Sequence, residues 1–106
     1  MIEDKQVEAA LFYVRDHAGE AGQLAGAVKE AEARRKTSMA ISFLQATGTV
    51  AERQARSRTD PAVMVAYHDY CEAVAGYEKI KLNIKASEML IEVWRTENSN
   101  RRAGIL

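Results

Sequence analysis

The sequence has little of the residues that mark several protein classes. It contains one proline, one cysteine and six glycines among 106 residues, which excludes collagen-like chains, low-complexity chains and an internal disulfide framework. No apolar run approaches the ~20 residues that span a bilayer, and the acidic N-terminus lacks an apolar signal segment. A single cysteine, Cys71, is typical of a reducing compartment. We therefore expect a cytoplasmic protein that does not interact with membranes.

The chain also has no net charge, because 15 basic residues balance 15 acidic ones. A basic nucleic-acid-binding domain usually has a high pI. The charges are nevertheless segregated along the sequence: residues 1–20 and 60–92 each carry −3, residues 21–59 carry +4, and residues 93–106 carry +2. In an antiparallel hairpin these regions would face each other with opposite charge. The expected ion pairs join Arg34, Arg35 and Lys36 to Asp69 and Glu72, and Arg95, Arg101 and Arg102 to Glu3, Asp4 and Glu8.

Helix start and stop signals predict three helices in a single domain over residues 1–106. Asp60 before Pro61 is a strong helix start, since Asp is a favoured N-cap and Pro is favoured at the first helical position. Gly48 can end the preceding helix in the left-handed conformation. Thr49 and Glu52 then have the spacing of a capping box. The predicted helices cover about residues 4–46, 50–57 and 61–98.

The apolar spacing predicts the fold class. An alternating four-three spacing is the 3.5-residue repeat of a coiled coil. The first helix shows it at Val7, Leu11, Val14, Ala18, Ala21, Ala25 and Val28. The third shows it at Val63, Tyr67, Tyr70, Val74 and Tyr77. Around Lys81 the apolar stripe then drifts to Ile80, Ile84, Ser87, Ile91 and Trp94. We expect an all-α, long antiparallel helical hairpin with a short helix at the turn.

Two helices cannot hide all the apolar side chains, so the sequence favours a homo-oligomer or a larger helical bundle. The alternative is a monomeric three-helix bundle closed by the short middle helix. Gly19, Gly22 and Gly26 lie inside the first helix. They predict either a close approach of a neighbouring helix or a break between two shorter helices.

Catalytic and metal-binding patterns are scarce. His68 and Cys71 lie three residues apart, but zinc needs three or four ligands, and Cys71 is better interpreted as a small buried apolar group. The sequence has no phosphate loop and no strained nucleophile elbow. We therefore expect no catalytic residue, no metal, no cofactor, no enzymatic activity and no small-molecule substrate.

The arginines near the turn are the first candidate binding residues. Arg53 and Arg56 share a helix face, and such guanidinium groups can hold the phosphates of single-stranded DNA. Tyrosines 67, 70 and 77 would stack on bases, or would instead pack in the helix seam. At the other end, Trp94 is a candidate interface anchor. The residues predicted to bind nucleic acid or a partner are Arg53, Arg56, Arg58, Arg95, Arg101 and Arg102, and those predicted to bind a protein partner are Trp94 and Asn98.

Two sequence motifs carry a resemblance. They are Gly-Thr-Val-Ala-Glu-Arg-Gln-Ala at 48–55 and Ile-Glu-Val-Trp-Arg-Thr-Glu-Asn-Ser-Asn-Arg-Arg-Ala-Gly-Ile at 91–105. Together with Arg35-Lys36, Phe43-Leu44 and the tyrosine ladder formed by Tyr67, Tyr70 and Tyr77, they make the chain resemble small proteins encoded by tailed bacteriophages and prophages. Such proteins are often found near genes for recombination and single-strand annealing. The resemblance implies a phage origin in the host bacterial cytoplasm and transfers no catalytic residue.

The sequence thus favours a non-enzymatic accessory or adaptor protein for phage DNA recombination or replication. Its expected partners are a second copy of itself, a phage or host DNA-processing protein and single-stranded DNA. One alternative is an anti-defence inhibitor that blocks a host nuclease or surveillance complex, with the acidic regions mimicking nucleic acid. A further alternative is a structural component of the virion.

Overall fold

A computed structural model describes residues 1–104, and this part of the chain contains three α-helices and no strand. Helix α1 spans Asp4–Gln45, α2 spans Val50–Thr59 and α3 spans Pro61–Arg102. The predicted fold class is confirmed: the chain is an all-α helical hairpin with a short helix at the turn. Ile105, the end of the second motif, and Leu106, the end of the predicted domain, lie outside the described residues.

The helices begin at the caps that the sequence predicts. The hydroxyl of Thr49 accepts a hydrogen bond from the Glu52 backbone N–H at 3.2 Å, which caps α2. The Asp60 carboxylate accepts one from the Ala62 backbone N–H at 3.0 Å, and Pro61 is the first residue of α3. Each cap satisfies a backbone donor that the first helical turn leaves without a partner. Both α2 and α3 continue a few residues beyond their predicted ends, to Thr59 and Arg102.

The chain divides into two compact units. The end unit comprises Met1–Gly22 and the chain from Glu78 onward, and the turn unit comprises Gln23–Tyr77. In the end unit the start of α1 lies against the end of α3: the Ile2 backbone N–H donates to the Glu97 carboxylate at 3.1 Å. In the turn unit the guanidinium of Arg35 on α1 lies 5.3 Å from the ring centroid of Tyr70 on α3. The two long helices are therefore antiparallel within each unit.

The seam follows a 3.5-residue repeat, but its register differs from the prediction. On α1 the repeat is formed by buried and half-buried positions that include Val7, Ala10, Val14, His17, Ala21, Leu24, Val28, Ala31, Arg35, Ser38 and Ser42. Ala25, which the prediction placed in the stripe, is also half-buried. Those on α3 include Val63, Ala66, Tyr70, Ala73, Tyr77, Ile80, Ile84, Ser87, Ile91, Trp94 and Asn98. Leu11, Ala18 and Tyr67 are exposed, so their predicted places in the stripes are wrong. On α3 the predicted Ile80 is buried and the predicted Ile84, Ser87, Ile91 and Trp94 are half-buried, so these positions are confirmed. They continue the repeat of Val63, Ala66, Tyr70, Ala73 and Tyr77 in constant register, without a drift.

The hydrophobic core is thin. Among the described residues the buried apolar side chains are Val7, Ala10, Ala31, Ala46, Val63 and Ile80. Half of them are alanines, so the seam is built on small side chains that allow helices to approach closely. Large apolar side chains remain exposed instead, including Leu44 at 76%, Met89 at 61% and Leu82 at 60%.

The predicted break in the first helix is wrong, and within the described part of this chain no neighbouring helix approaches its glycines. Helix α1 runs without interruption through Gly19, Gly22 and Gly26, which rules out two shorter helices. A Cβ atom placed on any of the three would have no described heavy atom within 4 Å, apart from its own helical backbone. No described part of this chain therefore packs closely on them.

Gly48 is the glycine whose conformation matters most. Its φ is +105°, in the region that L-residues rarely adopt, and a Cβ there would collide with the Glu52 carboxylate. We expect Gly48→Ala to lower the free energy of unfolding by about 1 to 2 kcal/mol, as is typical of an L-residue forced to positive φ. Denaturant unfolding followed by circular dichroism measures the change.

The matched control is Gly22→Ala within α1. Its Cβ would enter open space on a regular helix, so we expect it to stabilise the protein by up to about 1 kcal/mol. Equal effects of the two substitutions would contradict the conformational role of Gly48.

Candidate binding surface at the turn

The three predicted arginines of α2 lie in different surroundings. Arg53 is half-buried, and its guanidinium carbon lies 5.9 Å from the ring centroid of Phe43. Its Nε is buried without a hydrogen-bond partner, so Arg53 packs α2 against α1 rather than extending into solvent. Arg56 and Arg58 are both exposed. The structure therefore separates Arg53 from Arg56, although both lie on one helix.

Arg56 lies beside the start of α3. It lines a pocket of about 390 Å³ together with Ser42, Gln45, Ala46, Thr59, Asp60 and Pro61. The Ser42 hydroxyl and the Ala62 backbone N–H both donate to the Asp60 carboxylate, and they lower the pKa of that carboxyl. The carboxylate thus stays ionised near Arg56, which makes this pocket of mixed charge a poor site for an anion.

A second pocket brings two arginines together with an exposed aromatic ring. It has a volume of about 410 Å³ and is lined by Arg35, Met39, Arg58, Val63, Met64 and Tyr67. The Arg35 guanidinium lies 5.5 Å from the ring centroid of Tyr67 and 5.3 Å from that of Tyr70. Such cation–π contacts hold a guanidinium in place while leaving its charge unneutralised. We call this group of six lining residues the arginine pocket.

Tyr67 keeps its ring uncharged in the arginine pocket. A hydrogen bond with the thiol of Cys71 raises the pKa of Tyr67 above its ordinary value, and the nearby Arg35 only partly offsets this effect. The ring is 54% exposed. It therefore offers a neutral aromatic surface beside two positive charges.

The turn unit concentrates arginines that lack acidic partners. Among the described residues, no carboxylate lies within 4.0 Å of the guanidinium groups of Arg35, Arg53, Arg56 or Arg58. The predicted pairs with Asp69 and Glu72 do not form there. Instead, Arg34 pairs with Glu30 at 3.9 Å and Lys36 with Glu32 at 3.2 Å, both within α1. The surface around the turn is left basic.

The predicted residues at the other end are mostly engaged within the end unit. Trp94 is half-buried and its indole N–H donates to Asp4 at 3.2 Å. Arg95 pairs with Glu92 at 2.9 Å, and the Arg101 guanidinium contacts the sulfur of Met1. Asn98 is half-buried and Arg102 is exposed.

The predicted ion pairs across this end are also wrong. Within residues 1–104, none of Arg95, Arg101 and Arg102 pairs with a carboxylate of α1 or of the residues before it. Trp94 and Asn98 line a pocket of about 320 Å³ with Met1, Ile2, Glu3, Asp4, Glu97 and Arg101. Because Trp94 already binds Asp4, its contacts close this end of the hairpin.

The histidine and cysteine that lie three residues apart on α3 have different partners, Glu72 for His68 and Tyr67 for Cys71. His68 lies 3.1 Å from Glu72, and Cys71 is exposed rather than buried as predicted. No group of three or more histidine, cysteine or acidic side chains within residues 1–104 is arranged to hold a metal ion. No helix over the same residues combines the length and apolar character needed to cross a membrane.

Comparisons of the chain with protein-family models, with curated proteins and with solved structures found no match. The phage resemblance therefore stays a prediction. The function proposed below rests on the geometry of the turn unit.

Sequence reasoning found the basic residues of the turn but not their arrangement. It predicted ion pairs for Arg35 with Asp69 and Glu72, and for Tyr67 it left stacking on bases and packing in the seam as alternatives. The two methionines of the arginine pocket, Met39 and Met64, were not identified. The 3.5-residue repeat could have predicted the contact between Arg35 and the tyrosines. In its observed register, the repeat places Arg35 at a seam position beside Tyr67 and Tyr70.

Proposed function

We propose that this protein is a non-enzymatic accessory protein of phage DNA recombination or replication that binds single-stranded DNA through its turn unit. The observation that carries the proposal is the arginine pocket, where Arg35, Arg58 and the exposed ring of Tyr67 converge. Single-stranded nucleic acid is typically bound by cations along its backbone and by aromatic rings under its bases. Planar guanidinium groups suit phosphate oxygens particularly well.

The remaining parts of the proposal have different support. The phage setting, in the host bacterial cytoplasm, rests on the two resembling motifs. A phage or host DNA-processing protein is the proposed second partner, because exposed apolar residues such as Leu44 and Val50 lie close in sequence to the basic turn. The unneutralised arginines would attract DNA more strongly than the neutral total charge suggests, since local potential rather than net charge governs such an encounter.

Titration of labelled single-stranded DNA, followed by fluorescence anisotropy at several salt concentrations, tests this proposal. We expect binding that weakens as salt rises, because counterions are released from the strand. Arg58→Ala should weaken binding and lower the slope of log affinity against log salt by about 0.7, the value for one phosphate contact on a single strand. Arg58 is exposed, so the variant is expected to keep its fold.

Arg34→Ala provides the matched control. This arginine is also exposed on the turn unit but pairs with Glu30, so its removal should leave the salt slope nearly unchanged. Equal losses for the two variants would show that binding depends on overall charge rather than on the arginine pocket. Absence of binding at low salt would contradict the DNA-binding proposal and leave the arginines of the turn as protein contacts.

A further inference from the structure

The outer face of α3 carries an apolar stripe that the hairpin does not cover. Leu82 is 60% exposed, Met89 is 61% exposed, Val93 is 48% exposed, and Ala86 between them is also exposed. All four belong to the end unit. We call them the outer seam.

The outer seam has the geometry of a second helix-packing face. At about 100° per residue its four side chains fall within roughly 60° of arc, nearly opposite the buried Ile80 and the half-buried Ile84. Their spacing of four, three and four is that of a two-helix seam in which knobs fit into holes. Scattered exposed apolar residues are normal on a protein surface, but a continuous stripe marks an interaction face.

We propose that the outer seam binds the same seam of a second copy of this chain in antiparallel orientation. A symmetric antiparallel seam places Leu82 opposite Val93 of the second copy and Ala86 opposite Met89. Each small side chain then faces a larger one, as interdigitated packing requires. The core of the single chain contains six buried apolar residues among those described, so this association would supply apolar burial that the hairpin lacks.

Charge complementarity selects the second copy and the antiparallel orientation. In that register Lys85 flanks the seam beside Glu92 of the second copy, and twofold symmetry forms the pair twice. Neither residue lies in the buried seam, since both are exposed. Glu92 also pairs with Arg95 of its own helix at 2.9 Å, so Lys85 of the second copy would be a second cation beside that carboxylate. In a parallel register Glu92 would instead lie beside Glu97 of the second copy, which is repulsive, and Lys85 would lie beside Leu90. Opposite charges flanking a seam set helix orientation in coiled coils.

Sedimentation velocity of the full chain tests the association. We expect a particle of about twice the 11.8 kDa chain mass at high micromolar concentration and a monomer for Leu82→Glu/Met89→Glu. Because these side chains are exposed in the single hairpin, the variant should retain its helical circular dichroism. Leu44→Glu is the matched control, since Leu44 is exposed at 76% but lies in the turn unit, and it should remain dimeric.

Charge reversal tests the orientation. Lys85→Glu should raise the dimer Kd about tenfold or more, because both interchain pairs become repulsive. The double variant Lys85→Glu/Glu92→Lys should restore the dimer by exchanging the two charges. Glu92→Lys alone should weaken an antiparallel dimer but tighten a parallel one, since it would then face Glu97.

Three results would overturn the proposal. They are a monomeric wild-type chain at high concentration, an assembly that persists in Leu82→Glu/Met89→Glu, and a dimer tightened by Glu92→Lys. None of them bears on DNA binding by the turn unit.

Discussion

Ile80→Ala is expected to lower the free energy of unfolding by about 2 to 5 kcal/mol, the usual range for truncating a buried isoleucine. Ile80 is 6% exposed and is the largest buried apolar side chain in the described part of the chain. A core made largely of valine and alanine has few neighbouring side chains that can move to fill the space. The loss of buried surface and the resulting cavity therefore both destabilise the end unit. Chemical denaturation measures the effect.

Leu11→Ala is the control for this prediction. Leu11 belongs to the same unit but is 49% exposed, so its truncation should cost less than about 1 kcal/mol. Both variants should be compared with wild type at one protein concentration, because any self-association adds to apparent stability. A loss at Leu11 as large as that at Ile80 would mean that the predicted register, rather than the observed one, describes the seam.

Local chemistry made the helix starts predictable. Asp60 accepts the backbone hydrogen bond that its N-cap role requires, and Thr49 accepts that of Glu52. These caps act over three residues or fewer, so no knowledge of the rest of the fold is needed. The positive φ of Gly48 was predictable for the same reason.

The register of the seam was not predictable from apolar spacing alone. The choice between Ala10 and Leu11 depends on how closely the helices approach, and the sequence pattern treats both residues as apolar. Several seam positions also hold polar residues, and two of these residues contact aromatic rings. His17 stacks on Tyr13 with ring centroids 4.0 Å apart, and Arg35 lies against aromatic rings of α3. The contacts of such polar residues form only when the chain folds. A search for apolar spacing therefore does not identify the seam positions that they occupy.

The candidate site shows the same division between local and distant information. The basic character of residues 53–58 follows directly from composition. Arg53 packs inward because Phe43 of α1 lies beside it. Arg58 joins Arg35 because residues of α3 line the same pocket. Contacts between separate helices therefore decided that Arg58, rather than Arg53, reaches the arginine pocket.

Ala31→Leu should destabilise the turn unit by about 1 to 3 kcal/mol, the range for overpacking a filled core. Ala31 is the most buried of the apolar core residues, at 2% exposure. Leucine is almost as good a helix former as alanine, so the loss would come from tertiary packing. A larger side chain here must push the paired helices apart. Denaturant unfolding should show a lower midpoint with unchanged helical content.

Ala33→Leu separates packing from helix propensity. Ala33 lies on the same helix but is exposed, so its replacement should change stability by no more than about 0.5 kcal/mol. Stabilisation by Ala31→Leu would contradict close packing, because it would require unfilled space beside Ala31.

Ala31 also lies one helical turn before Arg35, whose position over the two tyrosines depends on the separation of the helices. Helices forced apart by Ala31→Leu should therefore also bind single-stranded DNA more weakly, whereas Ala33→Leu should leave that affinity unchanged.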